Sequence, residues 1–229
     1  DFHHVTTKKQ SRWRTPFDVS ERLYDQMIEN VKALSKEGVF VSAETFLSPF
    51  TAKHILTMHQ HIVDMGCRRH EVHPLYPSDF ASDMTLLTLK EYQETVSHLL
   101  DHRDQRVWIL FGTLPFFPCS DQITDLNLWK RLHKEKNITV RQDPDGRNRL
   151  NVNIFTGDVY VTDFSDGSSL GNIQSDNLTD IFKCWLTHPL AGKHHCFCPE
   201  ARCIGPNILV SDTYYSEWDF TKKKANISI

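Results

Sequence analysis

Three stretches in the first half of the chain repeat apolar residues every three or four positions, and each is followed by a short β-branched or aromatic run. In the first, Leu23, Met27, Val31 and Leu34 fall near one helical face, Ser20 stands where an N-cap belongs, and Gly38 can end the helix in a left-handed cap. The run "VFVSAE", residues 39–44, follows as a strand. The second, "TAKHILTMHQHIVDMG", carries Ile55, Met58, Ile62 and Met65, stops at Gly66 and leads into the strand "RRHEVHPL". The third opens on a capping box of Thr88 and Glu91, carries Leu89, Tyr92, Val96 and Leu99 inward, and leads into "RVWILFGT".

Strands separated by single helices pair in parallel through right-handed crossovers, so residues 1–136 are expected to form an open α/β sheet or a slice of a barrel. The strands are too few to close a barrel of eight. Polar residues at the carboxyl ends of such strands face the ligand site. Here they are Ser42 and Glu44 on one strand and Glu71 and His73 on the next.

After a capped helix around residues 125–134 the texture changes. "NITVRQ", the turn "DPDG", "LNVNIF", the turn "TGD" and "VYVTDF" read as an antiparallel meander, because strand patterns alternate with Pro- and Gly-bearing turns. A loop, "SDGSSLGNI", then leads to a helix over residues 176–188 with Ile181, Phe182 and Trp185 inward. Residues 137–229 are therefore expected to form a second, small α+β domain.

Composition narrows the function classes. A formal net charge of -3 argues against a broad nucleic-acid surface, and the short basic runs at either end read as solvated tails. The most apolar stretch, "VWILFGTLPFFPC", is too short to span a bilayer and holds two prolines. The chain opens without Met or a signal peptide, which suggests a processed chain or the downstream part of something longer, in the cytoplasm. The sequons at Asn137, Asn177 and Asn226 are accordingly read as chance.

Candidate chemistry concentrates in "HHCFCPEARCIGPN", where Cys196, Cys198 and Cys203 lie within eight residues beside His194 and His195. Thiolates favour zinc and iron-sulfur clusters. A disulfide framework is disfavoured by the Cys-X-Cys spacing and by the absence of export signals. A structural zinc site usually spaces its cysteines by two to four residues, whereas a cluster accepts less regular spacing, so both metals stay open.

The stretch "NVNIFTGDVYVTDFSDGSSLGNIQSDNLTDIF", with the cysteine loop ending "CIGPN", resembles the C-terminal auxiliary-cluster module of radical S-adenosylmethionine enzymes, the SPASM or twitch type. The Cys-X-Cys-X4-Cys spacing is similar more narrowly to the radical SAM/CxCxxxxC-motif proteins of the YfkAB type. "HPLYPSDF" and "LTLKEYQETVSHLL" resemble the last β/α units of their partial barrel. The resemblance implies an auxiliary [4Fe-4S] cluster on Cys196, Cys198 and Cys203, relaying an electron or anchoring a substrate. Ser42, Glu44, Glu71 and His73 would line the cofactor or substrate cavity.

Two departures limit it. The Cys-X3-Cys-X2-Cys loop that holds the S-adenosylmethionine-cleaving cluster is absent, as is the early Gly-rich motif, so the chain is similar only to the downstream part of the family's proteins. It would bind S-adenosylmethionine only with an upstream half, covalently joined or a separate chain, and its substrate would be a peptide or a small molecule. Thr162 stands near a position where many relatives have a cysteine, leaving Cys184, Cys119, His194 and His195 as candidates for the fourth ligand. The alternatives are a zinc-stapled, non-catalytic binding module and the translated remnant of an interrupted gene.

Overall fold

Gly38 and Gly66 end two of the amphipathic helices where the sequence places them. The computed structural model describes residues 21–75, 85–112, 114, 123–141, 149–162 and 168–188. Both glycines are left-handed, with φ of +82° and +78°. In each case the next backbone N–H reaches back into the last turn, Val39 to Leu34 O at 3.0 Å and Cys67 to Ile62 O at 3.2 Å. This closes the carbonyls that a helix end leaves open.

The chain divides into two compact units, Asp1–Gly112 with Asn127–Arg141 and Thr113–Leu126 with Gln142–Ile229. Element order begins α1 (Glu21–Lys36), β1 (Ser42–Leu47), α2 (Ile55–Asp64, after a 3-10 turn at Ala52–His54), β2 (Arg69–Pro74), α3 (Leu89–His102) and β3 (Trp108–Gly112). It continues with α4 (Ile123–Lys134) and β4 (Ile138–Arg141). The four strands form one all-parallel sheet in chain order, β1-β2-β3-β4. With right-handed crossovers and no reversal of order, successive helices fall on one side of such a sheet. The strand "NITVRQ", expected to open the meander, is instead the fourth parallel strand, with Ile138 beside Ile109. The crossover through α4 returns the chain in the same direction as β3, which an antiparallel pairing would not allow.

Burial alternates strictly on β1 and β2. Ala43, Thr45 and Leu47, with His70 and Val72, are buried on the helix side, where Ile55, Met58, Ile62 and Met65 of the second stretch are also buried. A local core of Ala43, Ile62, Met65 and Cys67 receives Met27, Ile28 and Val31 from α1. Leu23 and Leu34, expected inward, are exposed: the inner stripe runs through Met27, Ile28 and Val31, about one residue round from the leucines. The capping box of α3 forms as read. The Glu91 N–H donates to Thr88 Oγ1 at 3.2 Å, and the Thr88 N–H donates to Glu91 Oε2 at 2.8 Å.

The second unit holds a three-stranded antiparallel sheet of β5 (Asn151–Val152), β6 (Asp158–Tyr160) and β7 (Gly171–Asn172), followed by α5 (Leu178–Thr187). Asn172 locks it. Its side-chain amide donates to Thr156 O at 2.7 Å and Asp158 Oδ1 at 3.0 Å, while its Oδ1 accepts from Gln174 N at 2.8 Å. Asn177 caps α5, accepting from the Thr179 N–H at 2.8 Å, so this sequon has a structural role. Ile181 and Trp185 are buried as expected; Phe182 is exposed and stacks on Trp185. Among the described residues, no helix is long and apolar enough to cross a membrane.

Candidate functional site: the polar face of the parallel sheet

In a parallel pair, residues in register share a face. The alternation that buries Ala43, Thr45 and His70 therefore presents Ser42, Glu44 and Phe46 on β1, and Arg69, Glu71 and His73 on β2, to the opposite face. β3 adds Trp108, Leu110 and Gly112, and β4 adds Thr139 and Arg141. Ser42, Glu44, Glu71 and His73, singled out by sequence, are thus brought together on one half-open surface. Their placement along the strands differs from expectation. β1 starts three residues later than read, so Ser42 is at its amino end and Glu44 near its middle, and only His73 lies near a carboxyl end.

The groups form one network. The Ser42 hydroxyl donates to Glu71 Oε1 at 2.9 Å and accepts from Arg69 Nε at 3.0 Å, while the Arg69 guanidinium also pairs with Glu71 Oε1. Arg69 lies over the Phe40 ring, 5.5 Å from its centroid, within cation-π range. His73 Nε2 faces two carboxylates, Glu71 Oε2 at 3.4 Å and Glu44 Oε1 at 3.5 Å. At the base of the face Trp108 Nε1 donates to Thr139 Oγ1 at 2.8 Å.

The electrostatics follow. Burial raises the Glu71 carboxyl, but bonds from Ser42 and His73 and the charge of Arg69 outweigh it and hold Glu71 below the ordinary carboxylate range. Burial lowers His73; Glu71 opposes that through its hydrogen bond and its charge, and Arg141 reinforces it, leaving the ring below its ordinary value. The face therefore offers a neutral imidazole between carboxylates, with a second guanidinium, Arg141, near its rim.

The reverse face of the same strands carries a second histidine cluster that the sequence reading missed. His59 Nδ1 and His70 Nδ1 are 3.1 Å apart, His70 Nε2 meets Thr45 Oγ1 at 2.9 Å, and the Asp104 N–H donates to His59 Nε2 at 3.0 Å. That backbone donor fixes the protons: His59 donates from Nδ1 to His70, which donates from Nε2 to Thr45. Burial pushes His59 down to about 4, against the pull of Asp104 and with a smaller push from Arg103. His61, two residues from His59, is exposed on the other side of α2, as a spacing of two on a helix requires.

Of the soft ligands, Cys184 lies exposed on α5 and Cys67 is buried, its thiol pushed up to about 11 by desolvation. Cys119, His194, His195, Cys196, Cys198 and Cys203 lie outside the described residues. Among the described residues, no group of three His, Cys, Asp or Glu side chains is arranged to hold a metal ion.

Arg69 and Arg141 are missing from the sequence reading. Arg69 was open to discovery, since Arg-X-Glu-X-His in a strand puts all three side chains on one face. The profile of the YfkB-like domain family matches residues 75–225, well over half of the chain. The chain belongs to the YfkB-like domain family. It is also similar to YfkA of Bacillus subtilis (strain 168), 52% identical over 210 residues that cover 91% of this chain and 56% of the relative. This YfkB-like chain thus spans little more than half the length of that curated relative. No solved structure matches it. The match begins at residue 75, so the family profile covers the meander and the cysteine loop, while the polar residues of β1 and β2 precede it.

Proposed function

We propose that the chain is the downstream part of a radical S-adenosylmethionine enzyme. Its first unit would contribute the later β/α units of a partial barrel. Its second would be a SPASM- or twitch-like module with an auxiliary [4Fe-4S] cluster. The observation that carries the reading is the all-parallel, unreversed strand order β1-β2-β3-β4, with a polar face opposite the buried one. A barrel wall has that order, with its inward side chains on one face, whereas a doubly wound sheet reverses order at its ligand site.

The residues present suit the cluster. Cys196, Cys198 and Cys203 supply thiolates, which are the usual cluster ligands. Cys184, exposed on its helix, is available as a fourth, whereas the buried, proton-retaining Cys67 is not. When bound, the cluster supplies one-electron chemistry or an iron site for substrate. The chain's own residues bind and orient: Glu44 and Glu71 offer acceptors to a cationic or hydroxyl-bearing ligand, and Ser42 and Arg69 hold Glu71 in place. S-adenosylmethionine and the cluster that cleaves it belong to an upstream half, attached or separate. The longer relative supports that division, because 44% of its length lies outside the match. Thiolates of this kind require a reducing compartment, which supports a cytoplasmic location.

The test is iron and acid-labile sulfide analysis, with an absorption spectrum, of the anaerobically reconstituted chain beside a Cys196→Ala, Cys198→Ala, Cys203→Ala variant. The reading predicts a brown protein whose iron and sulfide are lost in the variant. Stoichiometric zinc in a colourless protein would contradict it and leave a zinc-stapled, non-catalytic module.

A further inference from the structure

The His73 ring lies across Gly112. A Cβ on Gly112 would fall 2.1 Å from His73 Nδ1, 2.5 Å from Cε1 and 3.1 Å from Cγ. A ring has no flexible far end to yield, so any side chain at 112 would evict it. Gly112 is not among the positive-φ glycines, so the position calls for glycine because of the space over it, not because of its backbone.

The other ring nitrogen fixes the proton. Nε2 faces Glu71 Oε2 and Glu44 Oε1 at 3.4 and 3.5 Å, and carboxylates only accept, so a neutral ring carries its proton on Nε2. Nδ1 then keeps its lone pair, and among the described residues it has no hydrogen-bond partner. The groups facing the ring come from all four strands: Phe46 and Glu44 from β1, Glu71 from β2, Gly112 from β3 and Arg141 from β4.

We propose that Gly112 is a positioning residue that seats His73 as its Nε2-protonated tautomer, leaving Nδ1 as a proton acceptor for a ligand on the polar face. The inference rests on reading that face as the ligand site. In the step it serves, an X–H bond of the ligand breaks, its electron pair stays on X, and the proton forms Nδ1–H. The imidazolium so produced faces Glu71 and Glu44, which stabilise it. A nitrogen held by carboxylates, beside a second that has no hydrogen-bond partner among the described residues, is the division of labour a general base requires.

The test is nitrogen-15 NMR of the imidazole rings in the labelled full chain. At pH 7.5 His73 should show an unprotonated Nδ1 and a protonated Nε2, with a titration midpoint below 6.5. Gly112→Ala should abolish the tautomer preference and bring the midpoint toward the ordinary value. A proton on Nδ1 at pH 7.5, or a titration unmoved by Gly112→Ala, would overturn the proposal. A fold lost in Gly112→Ala is covered by the double variant. Gly112→Ala should cost stability in the wild type and almost none in a His73→Ala background, and equal costs in both would overturn the seat. If the seat holds while His73→Ala leaves turnover of the complete enzyme unchanged, the ligand-site reading fails and the packing assignment stands.

Discussion

Two histidines three residues apart on β2 point to opposite faces of one sheet and live in opposite environments. His70 is fully buried and makes a defined chain of neutral hydrogen bonds from His59 to Thr45. His73 keeps 15% of its side chain exposed on the polar face, with carboxylates on one side and Arg141 beyond. The buried pair holds α2 and the loop at Asp104 against the strands, so its chemistry is spent on stability. On the open face the polar groups position one another: Ser42 and Arg69 hold Glu71, which with Glu44 faces His73.

The sharpest way to break this contrast is His70→Ala. It removes a fully buried ring and leaves the His59 Nδ1–H and the Thr45 hydroxyl without that partner, a cavity and a desolvation cost of about 3 kcal/mol by urea unfolding. The same pair sets the acid response. Both folded rings hold protons more weakly than unfolded histidine, so the unfolded state binds more protons below pH 6.5. Their stability contribution is complete above pH 6.5 and drains as pH falls toward about 4, the value to which His59 is pushed. His70→Ala should flatten that slope, and a wild-type stability that stays level between pH 6.5 and 4 would contradict the burial of this pair as neutral rings. Glu71→Gln sits at the small end. It should cost somewhat less, about 1 to 2 kcal/mol, because the Glu71 side chain is only 14% exposed and takes a hydrogen bond from Ser42 and an ion pair from Arg69.

Much of the first unit was legible from spacing alone. The Thr88 and Glu91 capping box, the glycine stops at 38 and 66, and the buried face of α2 are local features, and local features carry their own signal. The register of α1 was misread because leucine looks like core wherever it stands, and Leu23 and Leu34 lie just off the stripe that Ala43 and Ile62 receive. β4 was misassigned for a different reason: "NITVR" reads equally well as a parallel or an antiparallel strand, and only pairing with β3 decides. The His59 and His70 pair was hidden because eleven residues and a change of element separate its members. The role of Gly112 was equally invisible, since a glycine near a strand end usually signals a turn, not a ring seated above it.

Adjacent residues on β1 give the most direct test of the account, because Glu44 belongs to the open face and Thr45, which meets His70, to the buried one. With the proposed upstream half supplied, the proposed S-adenosylmethionine binding, by titration calorimetry, and urea unfolding should be measured for Glu44→Ala and Thr45→Val. The account predicts that Glu44→Ala weakens binding by about tenfold or more at nearly unchanged stability, while Thr45→Val costs about 1 to 3 kcal/mol of stability and keeps the affinity. Unaltered affinity in Glu44→Ala, or an equal loss in both variants, would contradict the assignment of ligand binding to the polar face.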